Sequence, residues 1–419
     1  MMQLINNATL LTFSGPPGPR SGKSMSHVGL IRDGAVLFDD KIEEAGLREV
    51  VLRDPRSRSA RIHDAGGRIV MPGFVDSHSH PVFAAPRLKD FELRVKGGTY
   101  EEIAAAGGGI LSSINGVRGA TEGELTTRLL ATTHKFLECG TTTLEAKSGY
   151  GLDKDSELKA LRAIKHVAAG SPLQLVPTFL GAHAVPPEYR GKPDDYVELL
   201  RREILPAVAA DGLAAFVDAF CEKGYFTPEQ TESFLKAGAE AGLGVKIHAE
   251  QLSRSGGALV AAKLKAVSAD HLDRVGDADL AALRESGTVA ALVPGSNHFL
   301  GLGEYPPARR ILDAGVPVAL ATDFNPGSCP CWNMQEVLSL ACTRMRMTPE
   351  EALVAATING ACALGLGRTH GSLEKGKTAD VIILDCEDYR EPSYWFGANL
   401  VCSVFKRGRL VTSRIELRV

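Results

Sequence analysis

Two histidines one residue apart, His78 and His80 in VDSHSHPVF, follow the apolar run Ile69-Val70-Met71 and the turn pair Pro72-Gly73. Side chains alternate across an extended chain, so residues i and i+2 share a face and the two imidazoles aim at one point. A metal ion requires that convergence, although an isolated pair of this kind is also common at strand ends and in turns. VKIHAEQ then ends in His248, VSADHL in His271 and VALATDFNPGS in Asp323. A lone histidine among these reads best as a hydrogen-bonded core residue. Four polar endings at matching positions of different apolar segments are much harder to ascribe to chance. Imidazoles with a carboxylate suit Zn²⁺ or an iron ion and leave room for a bound water, so the expected chemistry is that of a catalytic metal.

The elements that must position these residues emerge as an alternation. Short apolar segments (GTTTLEAKS, LQLVPTFLGAH, FVDAFCE, GVKIHAE, AVSADHL, VAALVP, VPVALATD) alternate with helical stretches such as SELKALRAIKHVAAG and TPEQTESFLKAGAEAG. The second helix opens with Thr227 as N-cap, Pro228 at the first helical position and Gln230 three residues past the cap. TPEEALVAATINGACALGL repeats the device with Thr348, Pro349 and Glu351. This pattern predicts an α/β fold, a TIM-like (β/α)8 barrel over residues 68–372, with its site at the C-terminal strand ends. Residues 1–67 read as short strands joined by charged turns such as RDPRSRSARIHDAGG. Residues 373–419 return to strands in ADVIILD and LVCSVFKRGRLV. The two flanks are expected to pair into one small β-sandwich domain.

Composition excludes several function classes. With 47 basic and 50 acidic residues among 419, the net charge of −3 supplies no bulk field for nucleic acid or an anionic membrane. No basic patch interleaved with aromatics supports a nucleic-acid role, and no run reaches bilayer-spanning length. MMQLINNATLLTFSG lacks the basic flank and the apolar length of a signal peptide, so the expected location is the cytoplasm. The eight cysteines are scattered without a framework spacing and read as reduced core thiols.

The constellation resembles the amidohydrolase superfamily, whose barrel carries HxH on strand 1, histidines on strands 5 and 6, and an aspartate on strand 8. GSLEKGKTADVIILD is similar to that superfamily's return into its small β-domain. HSHPVFAAPR, AGGGI, KSGYGL, LGAHAVPPEY, VDAFCEKGYF, HAEQLS, ADHLD and ATDFNPGS, in this order, resemble the imidazolonepropionase family of histidine degradation. Members of that family cleave the N3–C4 amide bond of 4-imidazolone-5-propanoate to give N-formimidoyl-L-glutamate. The resemblance implies metal ligands at His78, His80, His248 and Asp323, with His271 and Asp323 as the catalytic pair. It implies substrate contacts from Arg87, Tyr150, His183, Gln251, Asn325, Gly327 and Ser328. A guanidinium is the side chain suited to gripping the propanoate, which gives Arg87 a chemical rationale. Without the ordered motif set, Arg87 would be a surface cation, Tyr150 a packing residue over a glycine-rich turn, His183 a structural loop histidine, and NPGS a turn.

Gln251 stands three residues after His248, where some members of the family carry glutamate. An amide hydrogen-bonds but cannot act as a base, and Glu250, if the strand continues, points to the opposite face. Proton chemistry is therefore expected of Asp323, which takes the proton of a metal-activated water, and of His271, which hydrogen-bonds the developing oxyanion. Cys329-Pro330-Cys331 reads as packing thiols, because a site with four N/O ligands needs no sulfur. AAAGGGI lacks phosphate-cradle spacing and reads as a flexible loop near the substrate.

Binuclear amidohydrolases bridge their ions with a carboxylated lysine at the end of strand 4. Taking LVPTFLGAHA as that strand, no lysine is present, so one divalent metal per chain is expected, Zn²⁺ or Fe²⁺/Fe³⁺. The family also implies a homodimer acting on a small-molecule substrate. A nucleobase deaminase on the same metal set, or a non-catalytic scaffold on the same fold, are the rival readings.

Overall fold

The structure, a computed structural model, describes residues 1–99, 102 and 107–414. Ala104–Ala106 of the glycine-rich AAAGGGI stretch lie outside the described residues. The chain begins in a mixed sheet with β1 (Gln3–Leu11), β2 (Leu30–Phe38), β3 (Ile42–Leu47), β4 (Arg61–Asp64) and β5 (Ile69–Pro72). It then builds eight parallel strands that pair in chain order. These are β6 (Phe74–Asp76), β7 (Thr141–Lys147), β8 (Gln174–Ala182), β9 (Phe216–Cys221), β10 (Gly244–Ala249), β11 (Ser268–His271), β12 (Val289–Leu292) and β13 (Val318–Leu320). β14 (Val381–Leu384), β15 (Val401–Lys406) and β16 (Arg409–Ser413) return to the first sheet, whose order is β16-β15-β14-β5-β1-β2-β3, with β4 also on β1.

The two flanking segments thus join as expected, and β5 is the seam between them: it pairs with β1 on one side and β14 on the other. Alternation divides the apolar residues of these strands. Ile69, Met71, Ile382 and Leu384 enter the core shared with the barrel, whereas Val70, Val381 and Ile383 face the interior of the small domain. That sheet curls over until Phe38 on β2 meets Phe405 on β15 edge to face, ring centroids 5.4 Å apart, which gives it the two facing layers of a sandwich.

Three local readings change. The chain leaves the small sheet for the barrel at Gly73, later than residue 68, because Ile69–Pro72 belongs to the first sheet. Gly73 passes so close to Thr142 that a β-carbon would strike its side chain. The charged stretch read as a turn contains β4, which pairs parallel with β1 and buries His63 against the Phe405 ring. Its buried face is a histidine, so no apolar alternation marks it. TPEEALVAATINGACALGL is two helices, Pro349–Ala355 and Ile358–Cys362, broken at Thr357. The Asn359 side chain beyond the break bonds Arg20 N, Arg20 O and Val318 O, which pins the second helix to the barrel floor. Both Thr-Pro capping boxes form as read, at Thr227–Gln230 and Thr348–Glu351.

The barrel closes where the chemistry sits. β13 and β6 meet through a bridge between Ser79 and Phe324, with Asp323 N donating to His78 O at 3.0 Å and His80 N donating to Phe324 O at 2.8 Å.

Candidate active site

His78 and His80 lie just past β6, His248 near the end of β10, His271 at the end of β11 and Asp323 beyond β13. Their reactive atoms converge. His80 Nε2 lies 3.2 Å from His78 Nε2 and 3.3 Å from His248 Nε2, and Asp323 Oδ1 lies 3.5 Å from Nε2 of both His78 and His80. His271 joins His78 and His248 within the same compass of 4.8 Å. Asp323 and His271 adopt φ of 52° and 77°, a left-handed backbone that costs a non-glycine residue energy and recurs at functional sites.

Hydrogen bonds assign the lone pairs. His78 Nδ1 donates to Asp270 Oδ2 at 2.6 Å, and His248 Nδ1 donates to Asp218 Oδ2 at 3.0 Å. Both rings therefore turn an Nε2 lone pair toward the common point, as carboxylate-oriented metal ligands do. Burial, with the Lys147 ammonium nearby, holds His78 well below its ordinary value, and burial does the same for His80. His271 is lowered by burial and His248, while burial pushes the Asp323 carboxyl well up. Imidazole lone pairs turned nitrogen to nitrogen repel one another unless a cation lies between them. The donor set fits one divalent metal ion.

Above the ligands opens a cavity of about 700 Å³. All seven residues expected to touch substrate line it: Arg87, Tyr150, His183, Gln251, Asn325, Gly327 and Ser328. His80, His248, His271 and Asp323 form its floor, with His78 fully buried beneath. His183 stacks on His80 at 5.2 Å between centroids and donates Nδ1–H to Gly149 O at 2.9 Å. Burial lowers its pKa to about 3, so it presents a neutral ring.

Arg87 is largely covered, with its Nε 3.3 Å from Asp90 Oδ2, and its guanidinium packs on Gly327. Asn325 is committed within its own loop. Its Oδ1 accepts from Gly327 N and Ser328 N at 2.8 and 2.7 Å, and its Nδ2 donates to Asp323 O at 2.7 Å and Ser328 Oγ at 2.8 Å. It shapes the loop beyond Asp323 and holds the Gly327 amide internally.

Gln251 sits in a loop fixed by two carboxylates. Glu222 accepts from Leu252 N and Ser253 N, and Glu250 accepts from Ser255 N, Gly256 N and Ala258 N. Glu250 faces away from the cavity as expected, but through a left-handed turn (φ 55°) after β10 ends.

The strand read as fourth is third in the barrel. The fourth is β9, which carries Asp218 and is followed by Glu222; no lysine lies within it, and Lys223 just beyond it is exposed. The sequence reading misses Arg94, Phe220, Tyr225 and Leu302, which complete the cavity wall. It also misses the buried charges behind the ligands. The latter carry a signal, because charged residues interrupt apolar strands at Glu145, Lys147, Asp218 and Lys246.

The chain matches the family model described as amidohydrolase family over residues 69–411. An imidazolonepropionase of Solibacter usitatus (strain Ellin6076) is 47% identical over 98% of this chain and 98% of its own length. Another, of Symbiobacterium thermophilum, is 46% identical over 99% of this chain and 98% of its own length. Among solved structures, 5-methylcytosine deaminase from Klebsiella pneumoniae superposes with a TM-score of 0.74 at 19% identity, covering 100% of this chain and 99% of that one. The E. coli guanine deaminase gives 0.70 at 18% identity, over 99% of this chain and 100% of that one. At such identity the structural likeness speaks for the fold alone.

Proposed function

This chain belongs to the amidohydrolase family and, within it, to the imidazolonepropionases, and from that membership we propose that it hydrolyses the cyclic amide of 4-imidazolone-5-propanoate to N-formimidoyl-L-glutamate, the third step of L-histidine degradation. The observation that carries the reading is one cavity whose floor is the converging His/Asp set and whose wall holds a covered guanidinium.

His78, His80, His248 and Asp323 would hold one divalent ion, Zn²⁺ or Fe²⁺. When bound, such an ion supplies an activated water near neutral pH and Lewis acidity at a carbonyl. Arg87 pairs with the propanoate and turns the small ring so that its C4 carbonyl faces the ligand set. Tyr150 and His183 flank the ring, and Gln251 meets its edge. Asp323 accepts the proton of the attacking water and returns it to the ring nitrogen as the C–N bond breaks. His271 donates to the oxygen on which negative charge develops. The products are a carboxylate and a formimidoyl nitrogen, with one water consumed.

No helix among the described residues is long and apolar enough to cross a membrane. We assign the enzyme to the cytoplasm as a homodimer acting on a small molecule without nucleic acid. Loss of imidazolone absorbance on adding enzyme, with formiminoglutamate identified by mass spectrometry, tests the reaction. Stoichiometric ammonia release without that product would make the chain a deaminase instead.

A further inference from the structure

Beneath the ligand nitrogens lies a layer of charge that the steps above leave unused. Glu145 and Lys147 on β7, Asp218 on β9, Lys246 on β10 and Asp270 on β11 have side chains wholly shut off from solvent. Strand alternation brings them inward, since Glu145 and Lys147 are two apart on one strand, as are Lys246 and His248. Lys147 Nζ lies 2.6 Å from Asp218 Oδ2, 3.0 Å from Glu145 Oε2 and 3.7 Å from Asp270 Oδ2. Lys246 Nζ lies 2.8 Å from Glu145 Oε2, 3.7 Å from Asp270 Oδ2 and 2.6 Å from Ser77 O. His78, Glu145 and Asp270 themselves come as close together as metal ligands do, but two ammonium groups already supply the positive charge there.

We propose that Lys147 is a positioning residue for the metal centre: by bridging Asp218 and Asp270 it fixes the direction of both carboxylate–histidine hydrogen bonds and keeps Nε2 of His248 and His78 free to ligate. The inference rests on the ligand assignment above. An ammonium group has three donors and no acceptor, so the carboxylates facing it act as acceptors throughout. His248 then presents Nδ1–H to Asp218, and His78 presents Nδ1–H to Asp270. Each ring is left with its lone pair on Nε2, the atom that meets the other ligands. One lysine on β7 thereby sets two ligands that stand on opposite sides of it, beyond β6 and on β10. Among the described ion pairs Lys147 is the lysine partner of Asp218, whereas Asp270 is shared at 3.7 Å by Lys147 and Lys246 and also accepts from Ser268 Oγ at 2.6 Å.

Lys147→Met keeps the apolar stem and removes the donor. Zn²⁺ affinity of the full-length, metal-stripped chain, measured by competition with a chromogenic chelator, should weaken about 10- to 100-fold, the usual cost of disturbing a ligand's orienting partner. Lys147→Met/Asp218→Asn should recover part of that loss, because an amide oxygen accepts from Nδ1–H without needing a counter-charge. An unchanged affinity in Lys147→Met, or a double variant weaker than the single, overturns the proposal. The parent protein gives an independent check: imidazole ¹⁵N spectra of the metal-stripped chain should show His78 and His248 as Nδ1–H tautomers, and Nε2–H at either overturns it. His248→Ala separates the two levels. If it loses Zn²⁺ while Lys147→Met binds normally, the lysine's role fails and the ligand set stands; if it keeps Zn²⁺, the ligand assignment itself fails.

Discussion

The Arg87 guanidinium lies against the bare α-carbon of Gly327, and a β-carbon at that position would fall within the guanidinium itself. The side chain proposed to grip the substrate carboxylate therefore packs on a glycine contributed from the opposite end of the barrel sequence. Gly327→Ala should displace Arg87 and lower kcat/KM about tenfold or more through KM, with metal content unchanged. Because both changes act through one guanidinium, Arg87→Ala/Gly327→Ala should be no worse than Arg87→Ala alone. Additive losses in kinetics on purified variants would separate the two residues.

Metal content is the next expectation. One ion per chain is expected, because the candidate ligand groups among the described residues all share His78 and neither β8 nor β9 carries a lysine. Elemental analysis should find close to one equivalent, and His248→Ala should lose metal and activity together. Two equivalents per chain would overturn the single-site expectation.

His271, like His80, stands beside His78 and His248 without a carboxylate partner at Nδ1 among the described residues. Its ring stands 5.2 Å from both His78 and His248, and its Nδ1 has no hydrogen-bond partner among the described residues. If it stabilises charge and does not ligate, His271→Ala should cost about 10²–10³ in kcat while metal stays bound. Because His271 also falls within metal-binding reach of His78 and His248, purification of that variant without metal would move it into the ligand set.

Acid should weaken the fold through a residue far from the metal. His370 bonds Gln174 Oε1 at the start of β8 at 3.0 Å and lies 3.8 Å from Asp380 just before β14, tying the barrel to the small sheet. Burial lowers its pKa from 6.5 to about 4. Below pH 6.5 the unfolded chain takes up a proton that the folded chain refuses until about pH 4. Stability contributed by this group is thus full above 6.5 and falls as the pH drops through that window, by about 3 kcal/mol at most. Urea unfolding from pH 7.5 to 4.5 should show a shallower loss in His370→Gln than in the parent; identical slopes would assign the acid sensitivity elsewhere.

Much of this site is legible in the sequence because the barrel converts strand ends into neighbours. His78, His80, His248, His271 and Asp323 each follow an apolar run, and parallel strands in chain order bring those ends to one face. What escapes a linear reading is pairing across the barrel. Lys147 and Asp218 are separate interruptions of apolar strands until closure puts them 2.6 Å apart. The break at Gly73 escapes for a different reason: Ile69–Pro72 and Phe74–Asp76 form one apolar run, and nothing local says that its halves serve different sheets. Asn325 lines the cavity, but its side chain is spent on its own loop, since an Asx turn and a ligand contact look alike in NPGS.

Arg87 carries the strongest expectation about specificity. The reacting ring is small and nearly neutral, so most of the binding energy available lies in the propanoate. In the structure the guanidinium is preset: it packs on Gly327, and Nε sits 3.3 Å from Asp90 Oδ2, which also accepts from Gly109 N at 2.8 Å. A preset fork loses little freedom on binding and converts affinity into orientation of the C4 carbonyl. Arg87→Lys keeps the charge but not the planar fork, and should bind weakly and turn over poorly. Arg87→Ala should lower kcat/KM about 10²-fold or more, since removing one partner of a buried charge-assisted pair costs on the order of 2–5 kcal/mol. Both variants should retain the parent's metal content. Steady-state kinetics beside elemental analysis decide the matter: parental turnover in Arg87→Ala would mean that another group, with Arg94 on the same wall the first to examine, holds the carboxylate.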